Sequence, residues 1–313
     1  MSIKKLKTDT VIIFGAKLFL QKSNVMNSQP LTGDVLSKTN NGWVNGFIGV
    51  LIFSGSMPAT KAAVLDFDPI FLTVTRAGTA GILALCVLLF FKEKRPQKNQ
   101  LVPLFIVSIG VVIGFPLLSA MALQYMTSAY SIVFVGMLPL STALFAVLRG
   151  GERPRPAFWI FSVMGSLLVV GFAVVQEHTS SFTGDLLMIL AIILCGCGYA
   201  EGAKLSKTLG GWQVISWALV LSLPVMIPLM WYFFPSALSA IHTPAWIGLA
   251  YVSLFSMFIG FIFWYKGLVQ GGIAAVGQLQ LLQPFFGLAL AASLLHEQVS
   301  IAMVGITIGV IYV

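Results

Sequence analysis

Apolar residues run along the chain in long stretches, and the polar residues gather in the breaks between them. Stretches of spanning length predict helices over 43–65, 69–91, 101–122, 128–148, 157–175, 185–206, 211–233, 244–266, 273–294 and 299–313. Pro, Gly, Asp or clustered charge marks each break. A bilayer core takes about 20 apolar residues per helix, so the pattern reads as an all-α polytopic membrane protein with ten transmembrane helices. Two segments fit less well. Residues 1–41 are polar and basic around a ten-residue apolar stretch, 11–20, that Lys17 interrupts. No small-residue cleavage site follows it, so a cytoplasmic N-terminal arm is expected. Residues 299–313 are short for a crossing, so either this helix is tilted or the natural chain continues.

Composition narrows the class. Of 313 residues, 58% are hydrophobic and 9% charged, against about 25% charged in a soluble domain. The net charge of +8 would suggest nucleic acid if position were ignored. With a cytoplasmic N-terminus, however, the inner segments hold 16 of the 18 Lys and Arg, and the outer loops hold none. That is the positive-inside pattern. It places both termini in the cytoplasm, with lipid and not nucleic acid as partner. Cys86, Cys195 and Cys197 lie inside apolar runs and imply no disulfides. His178, His242 and His296 fall in outer loops, and no metal site is expected from them.

Ten helices divide into two halves that echo each other. Pro139 and Pro284, Ala146 and Ala291, Glu152 and Glu297, Leu123 and Leu268, and Ala129 and Ala274 are each 145 residues apart. Five crossings per half would insert the second half upside down, an arrangement typical of carriers that alternate access around a midplane site. The expected organisation is an arm (1–41), a first repeat (42–178) and a second (179–313).

Two cations fall within predicted helices, Lys61 and Arg76, on either side of the Asp66–Asp68 turn. A charge at the bilayer centre costs about 2.5–3.5 kcal/mol on insertion scales. Both could hold a substrate carboxylate or phosphate, or both could snorkel toward Asp66, Asp68 and headgroups. Glu201 is the one acid well inside a span; it is read either as a proton-coupling group or as an i,i+3 partner of Lys204. The ninth predicted helix carries Gln278, Gln280 and Gln283 just before Pro284, which frees a carbonyl one turn earlier. Gln280 and Gln283 are candidate substrate contacts, with interhelical hydrogen bonding as the alternative. In the fourth helix, Tyr130 and Phe134 offer an aromatic wall beside the expected kink at Pro139. Trp264 and Tyr265 read as an interfacial belt. The GxxxG pairs Gly110–Gly114 and Gly305–Gly309 offer packing or homodimer faces.

The run FSGSMPATKAAVLDFDPIFLTVTRAG at 53–78 resembles the opening hairpin of EamA-type members of the drug/metabolite transporter superfamily. Gly55, Lys61 and Arg76 fit that pattern, whereas Ser54 stands where the family carries Trp. GYAEGAKLSK at 198–207 and the run 265–297 resemble the second EamA unit. The resemblance implies a secondary transporter of small molecules: an exporter of metabolites such as amino acids, an exchanger of phosphorylated or nucleotide-linked sugars, or a drug efflux carrier. The residues themselves offer no paired intramembrane Asp, no HExxH, no nucleophile beside a His and no GxxxxGK[ST]. No enzyme activity and no cofactor are therefore expected.

Overall fold

The computed structural model describes residues 33–149, 151, 153, 156, 159–160, 162–165, 167–168, 181–236 and 238–312. Its contacts divide the chain at Lys38/Thr39, and the fold below is that of the unit Thr39–Val313. Among the described residues all regular structure is helical. Eight helices are long and apolar enough to cross a membrane: α1 (Asn40–Val64), α2 (Pro69–Phe90), α3 (Lys98–Ala122), α4 (Ser128–Leu148), α5 (Phe182–Leu209), α6 (Gly211–Tyr232), α7 (Thr243–Gly271) and α8 (Ile273–Leu294). A ninth, α9 (Ile301–Tyr312), has 12 residues and spans about 18 Å at 1.5 Å per residue. Of the ten expected helices, the described residues thus show eight spans and a short helix. The expected helix over 157–175 lies, but for scattered positions, outside the described residues, as do most of the arm 1–41 and Glu152.

Local chemistry sets the helix ends. Asp68 starts α2 by accepting hydrogen bonds from the backbone N–H groups of Ile70 (2.8 Å) and Phe71 (3.2 Å), with Pro69 supplying a first position that needs no donor. Thr127 accepts from Tyr130 N–H at the start of α4, and Ser181 from Gly184 N–H at the start of α5. Gly210 (φ +92°) separates α5 from α6, and Gly272 (φ +91°) separates α7 from α8; a side chain at either would be strained in that region.

Large apolar side chains such as Phe90, Val102, Phe105, Trp231 and Tyr232 are exposed, as suits a hydrocarbon solvent. Inside, α2 packs on α6, α3 and α4 pack on α5, and the second part of α1 packs on the start of α7. The first half of α4 lies against the second half of α8, and the second half of α4 against the start of α8. The two helices are therefore antiparallel neighbours.

Five of the eight spans are irregular partway along. α1 breaks at Gly55, α3 is π-helical over Ser108–Gly114, and α4 breaks between Val135 and Leu138. α7 is π-helical over Val252–Ile259, and α8 tightens to a 3₁₀ segment over Gln278–Leu282. The starts of α3 and α7, the starts of α4 and α8, and the ends of the two π segments each differ by 145 residues, the offset of the sequence identities.

Candidate functional site

The break in α1 frees backbone carbonyls at membrane depth, and neighbouring helices recapture them. Tyr251 of α7 donates its hydroxyl to Ile52 O (2.6 Å), and Gln283 of α8 donates its amide to Phe53 O (3.3 Å). Irregular backbone inside a membrane persists where protein or a cavity satisfies it. The break therefore ties α1, α7 and α8 to one point.

Arg76 lies beside that point, 4% exposed. One terminal nitrogen reaches Ser256 Oγ at 3.4 Å, and Ser256 Oγ is 2.7 Å from Ser56 Oγ across the α1–α7 seam. The Arg76 Nε makes no hydrogen bond among the described residues. Lys61, a second cation inside a span, is placed differently. Lys61 Nζ donates to Leu123 O (2.7 Å) and Met126 O (3.1 Å), the last carbonyls of α3 and its turn. A cation at the negative end of a helix is a stabilising cap, so the two expected substrate cations do not share a partner.

Gln280 is fully buried, and neither atom of its amide makes a hydrogen bond among the described residues. Gln283 uses its nitrogen on Phe53 O but leaves Oε1 without a partner. Beside them, Phe53, Tyr199, Phe261 and Trp264 form an aromatic tetrad, with ring centroids from 5.1 Å (Phe53–Phe261) to 6.4 Å (Phe53–Tyr199). Trp264 and Tyr265 are fully buried, which corrects their expected place in an interfacial belt. Their helix is turned inward by close contacts. Gly49 leaves room for Trp264, and Gly202 for Tyr265, whose hydroxyl donates to Gly198 O at 3.1 Å.

Tyr130 and Phe134 are buried as a tilted pair, 5.5 Å between centroids. They lie in the half of α4 that packs on α8, where Gly287 seats Ile132. Pro139 and Pro284 each occupy the second position of the helix that resumes after a break. Gly110 packs directly on α5 at Leu194 and Gly198, so this GxxxG face is used within the chain.

Glu201, 3% exposed, is the one fully buried acid among the described residues. Its carboxylate accepts from Arg149 Nε at 2.8 Å, at the end of α4. Its partner is thus Arg149 on a neighbouring helix and not Lys204. This hydrogen bond and charge raise the Arg149 pKa further above its ordinary value. At the opposite end of the bundle, the Glu297 carboxylate accepts from Ser128 N–H (3.0 Å), Ser128 Oγ–H (2.7 Å) and Ala129 N–H (2.7 Å), capping α4 from the α8–α9 connection. On the same side Asp66 accepts from His242 N–H (2.7 Å) and pairs with its ring. The His242 backbone, followed by its ring, holds the Asp66 carboxyl below the usual range.

Sequence reasoning passed over Ser56, Ser256, Tyr251, Tyr199 and Phe53. Small hydroxyls and rings carry no signal of their own among so many apolar residues; only the Gly55 break, visible as the S-G-S-x-P run, pointed to them.

Comparison with known proteins agrees with this architecture. The EamA-like transporter family matches residues 40–174 and 182–313. A Bacillus subtilis (strain 168) protein named "Uncharacterized transporter YdeK" is 66% identical over 276 residues, covering 88% of this chain and 96% of its own. Another from the same organism, "Uncharacterized transporter YyaM", is 26% identical over 72% of this chain and 77% of its own. A solved crystal structure aligns with a TM-score of 0.66 over 87% of this chain and 95% of its own, at 18% identity. That last likeness is one of fold alone.

Proposed function

The chain belongs to the EamA-like transporter family, and on that premise we propose that it is a secondary transporter exporting small metabolites, such as amino acids, across the bacterial inner membrane by alternating access. The observation that carries this reading is the set of buried polar atoms that make no hydrogen bond among the described residues, Arg76 Nε, both amide atoms of Gln280 and Gln283 Oε1, gathered where α1 and α8 are irregular. Discontinuous helices meeting at depth are how carriers build substrate sites. Leaving such groups unsatisfied costs about 1–3 kcal/mol each, which a substrate would recover.

Ten spans in two inverted five-helix repeats complete the proposal, with both termini cytoplasmic. The antiparallel contact of α4 with α8, whose starts are 145 residues apart, supports it. Packing equivalent helices antiparallel requires a two-fold axis across them, not along them. In this reading Tyr130 and Phe134 line the α4 side. Glu201 is the coupling acid: a proton arriving there releases Arg149 and loosens α4 from α5. Lys61 is assigned to the α3 cap.

Metabolite profiling of medium and cells, comparing overproduction of the protein with overproduction of its Arg76→Ala variant, tests the proposal. Depletion of a specific metabolite class from cells, lost in the variant, is expected; phosphorylated sugars or drugs as the affected class would favour an exchanger or an efflux carrier. Identical profiles for both proteins would overturn it.

A further inference from the structure

We infer that the Arg76 site recognises a single carboxylate on a substrate with an uncharged planar or apolar body, because a buried guanidinium sits beside an aromatic tetrad with no fixed counter-charge among the described residues. This rests on the carrier reading above and narrows its substrate class to monocarboxylates, in place of zwitterionic amino acids. Arg76 is the only fully buried Lys or Arg among the described residues, and the one fully buried acid, Glu201, is bound to Arg149. The site therefore carries one uncompensated positive charge. A monoanion balances it. A phosphate monoester would bring a second negative charge for which no cation stands ready, and an organic cation would be repelled. A zwitterion would bring an ammonium group for which the free acceptors, Gln283 Oε1 and Gln280 Oε1 among them, are neutral.

Geometry selects the same group. The guanidinium offers parallel N–H donors in a plane, matched by the two oxygens of a carboxylate. Its hydrogen bond to Ser256 Oγ is long at 3.4 Å, and Nε makes none among the described residues. The Ser56–Ser256 hydroxyl pair adds a neutral donor on the seam.

The body of the substrate is placed by α7. From Ser256 to Phe261 is five residues, about 7 Å of helix rise, roughly one ring beyond the carboxylate. Between them Gly260 presents no side chain, so the Phe53 ring closes directly on the backbone. The tetrad then supplies ring faces, with the Gln280 amide buried against Tyr199 and Trp264 Nε1 without a hydrogen bond among the described residues. A flat body entering here would part Phe53 from Phe261 and exchange one aromatic contact for another, at little net cost in apolar burial.

The test uses the full chain purified in detergent, with ligand-induced thermal stabilisation as readout. Four probes share one ring: 3-phenylpropionate, its neutral amide, phenylalanine and phenyl phosphate; tetraphenylphosphonium serves as the cation. Saturable stabilisation is expected with 3-phenylpropionate, with the amide, phenylalanine and phenyl phosphate each about tenfold weaker or worse, as a lost charge-assisted contact predicts. Arg76→Lys should weaken the acid partly and Arg76→Ala about as much as amidation does. The acid-versus-amide comparison on the unaltered protein stands even if the alanine variant does not fold. Equal binding of acid and amide, or tighter binding of phenylalanine or phenyl phosphate, would overturn the carboxylate assignment and leave the carrier reading to the metabolite profile. Failure of every probe to bind would overturn it equally.

Discussion

Replacing Glu297 with Gln removes one negative charge from the first turn of α4 while keeping the side chain's length. The carboxylate accepts three hydrogen bonds at 2.7–3.0 Å from Ser128 and Ala129. An amide has a single acceptor oxygen, so at most two of these survive, as neutral bonds worth about 1 kcal/mol in place of the 1.5–3 kcal/mol of charged ones. Losing the charge at a helix N-terminus forfeits about 0.3–1 kcal/mol more. Glu297 is only partly buried, which argues for the low end of the combined range of about 3–8 kcal/mol, that is about 3 kcal/mol. In detergent, Glu297→Gln should lower the unfolding temperature by several degrees, measured by fluorescence-detected size exclusion after heating. Ser128→Ala should lower it less, since it removes one of the three donors. Unchanged melting for Glu297→Gln, with a clear loss for Ser128→Ala, would refute the capping role and make the serine a packing residue.

Further outcomes follow from the same geometry. Arg149→Ala should change the pH dependence of transport as Glu201→Gln does, whereas Lys204→Ala should not; proteoliposome flux across a pH series measures this. Tyr251→Phe removes the donor to Ile52 O and should destabilise by about 1–3 kcal/mol through an unpaired buried carbonyl, visible as a lower melting temperature. Gly202→Ala would drive a methyl group into the buried ring of Tyr265, and should cost yield of folded protein unless a residue smaller than the ring, as in Tyr265→Leu, accompanies it. For Asp66, the folded carboxyl titrates below its ordinary value of 3.8. Its tie to His242 therefore stands fully above that value and is lost as the pH falls through the lower folded value. Hydrogen exchange at the His242 amide should accelerate only in that acid window.

Much of the fold was legible because hydrocarbon leaves the chain few choices: each predicted run within the described residues became a helix, and the 145-residue offset read from Pro139 and Pro284 recurs in helix starts and π segments. Arg76 and Glu201 stood out because charges inside spans are rare. Their partners did not, since Arg149 and Ser256 lie 52 and 180 residues away in sequence, and only packing brings them close. The partners of Lys61 were hidden for a related reason. Its partners are backbone carbonyls, which every residue has and no pattern marks. The burial of Trp264 and Tyr265 depended on glycines of other helices, Gly49 and Gly202, which a reading of α7 alone could not weigh.

The central claim is that the Arg76 region is reached in turn from both sides of the membrane. A single cysteine at Ser56, in a background lacking Cys86, Cys195 and Cys197, reports on it directly when a membrane-impermeant thiol reagent is applied to right-side-out and inverted vesicles. The account predicts labelling from either face in vesicles that remain tight to ions. Labelling from one face only, or from neither, would contradict it.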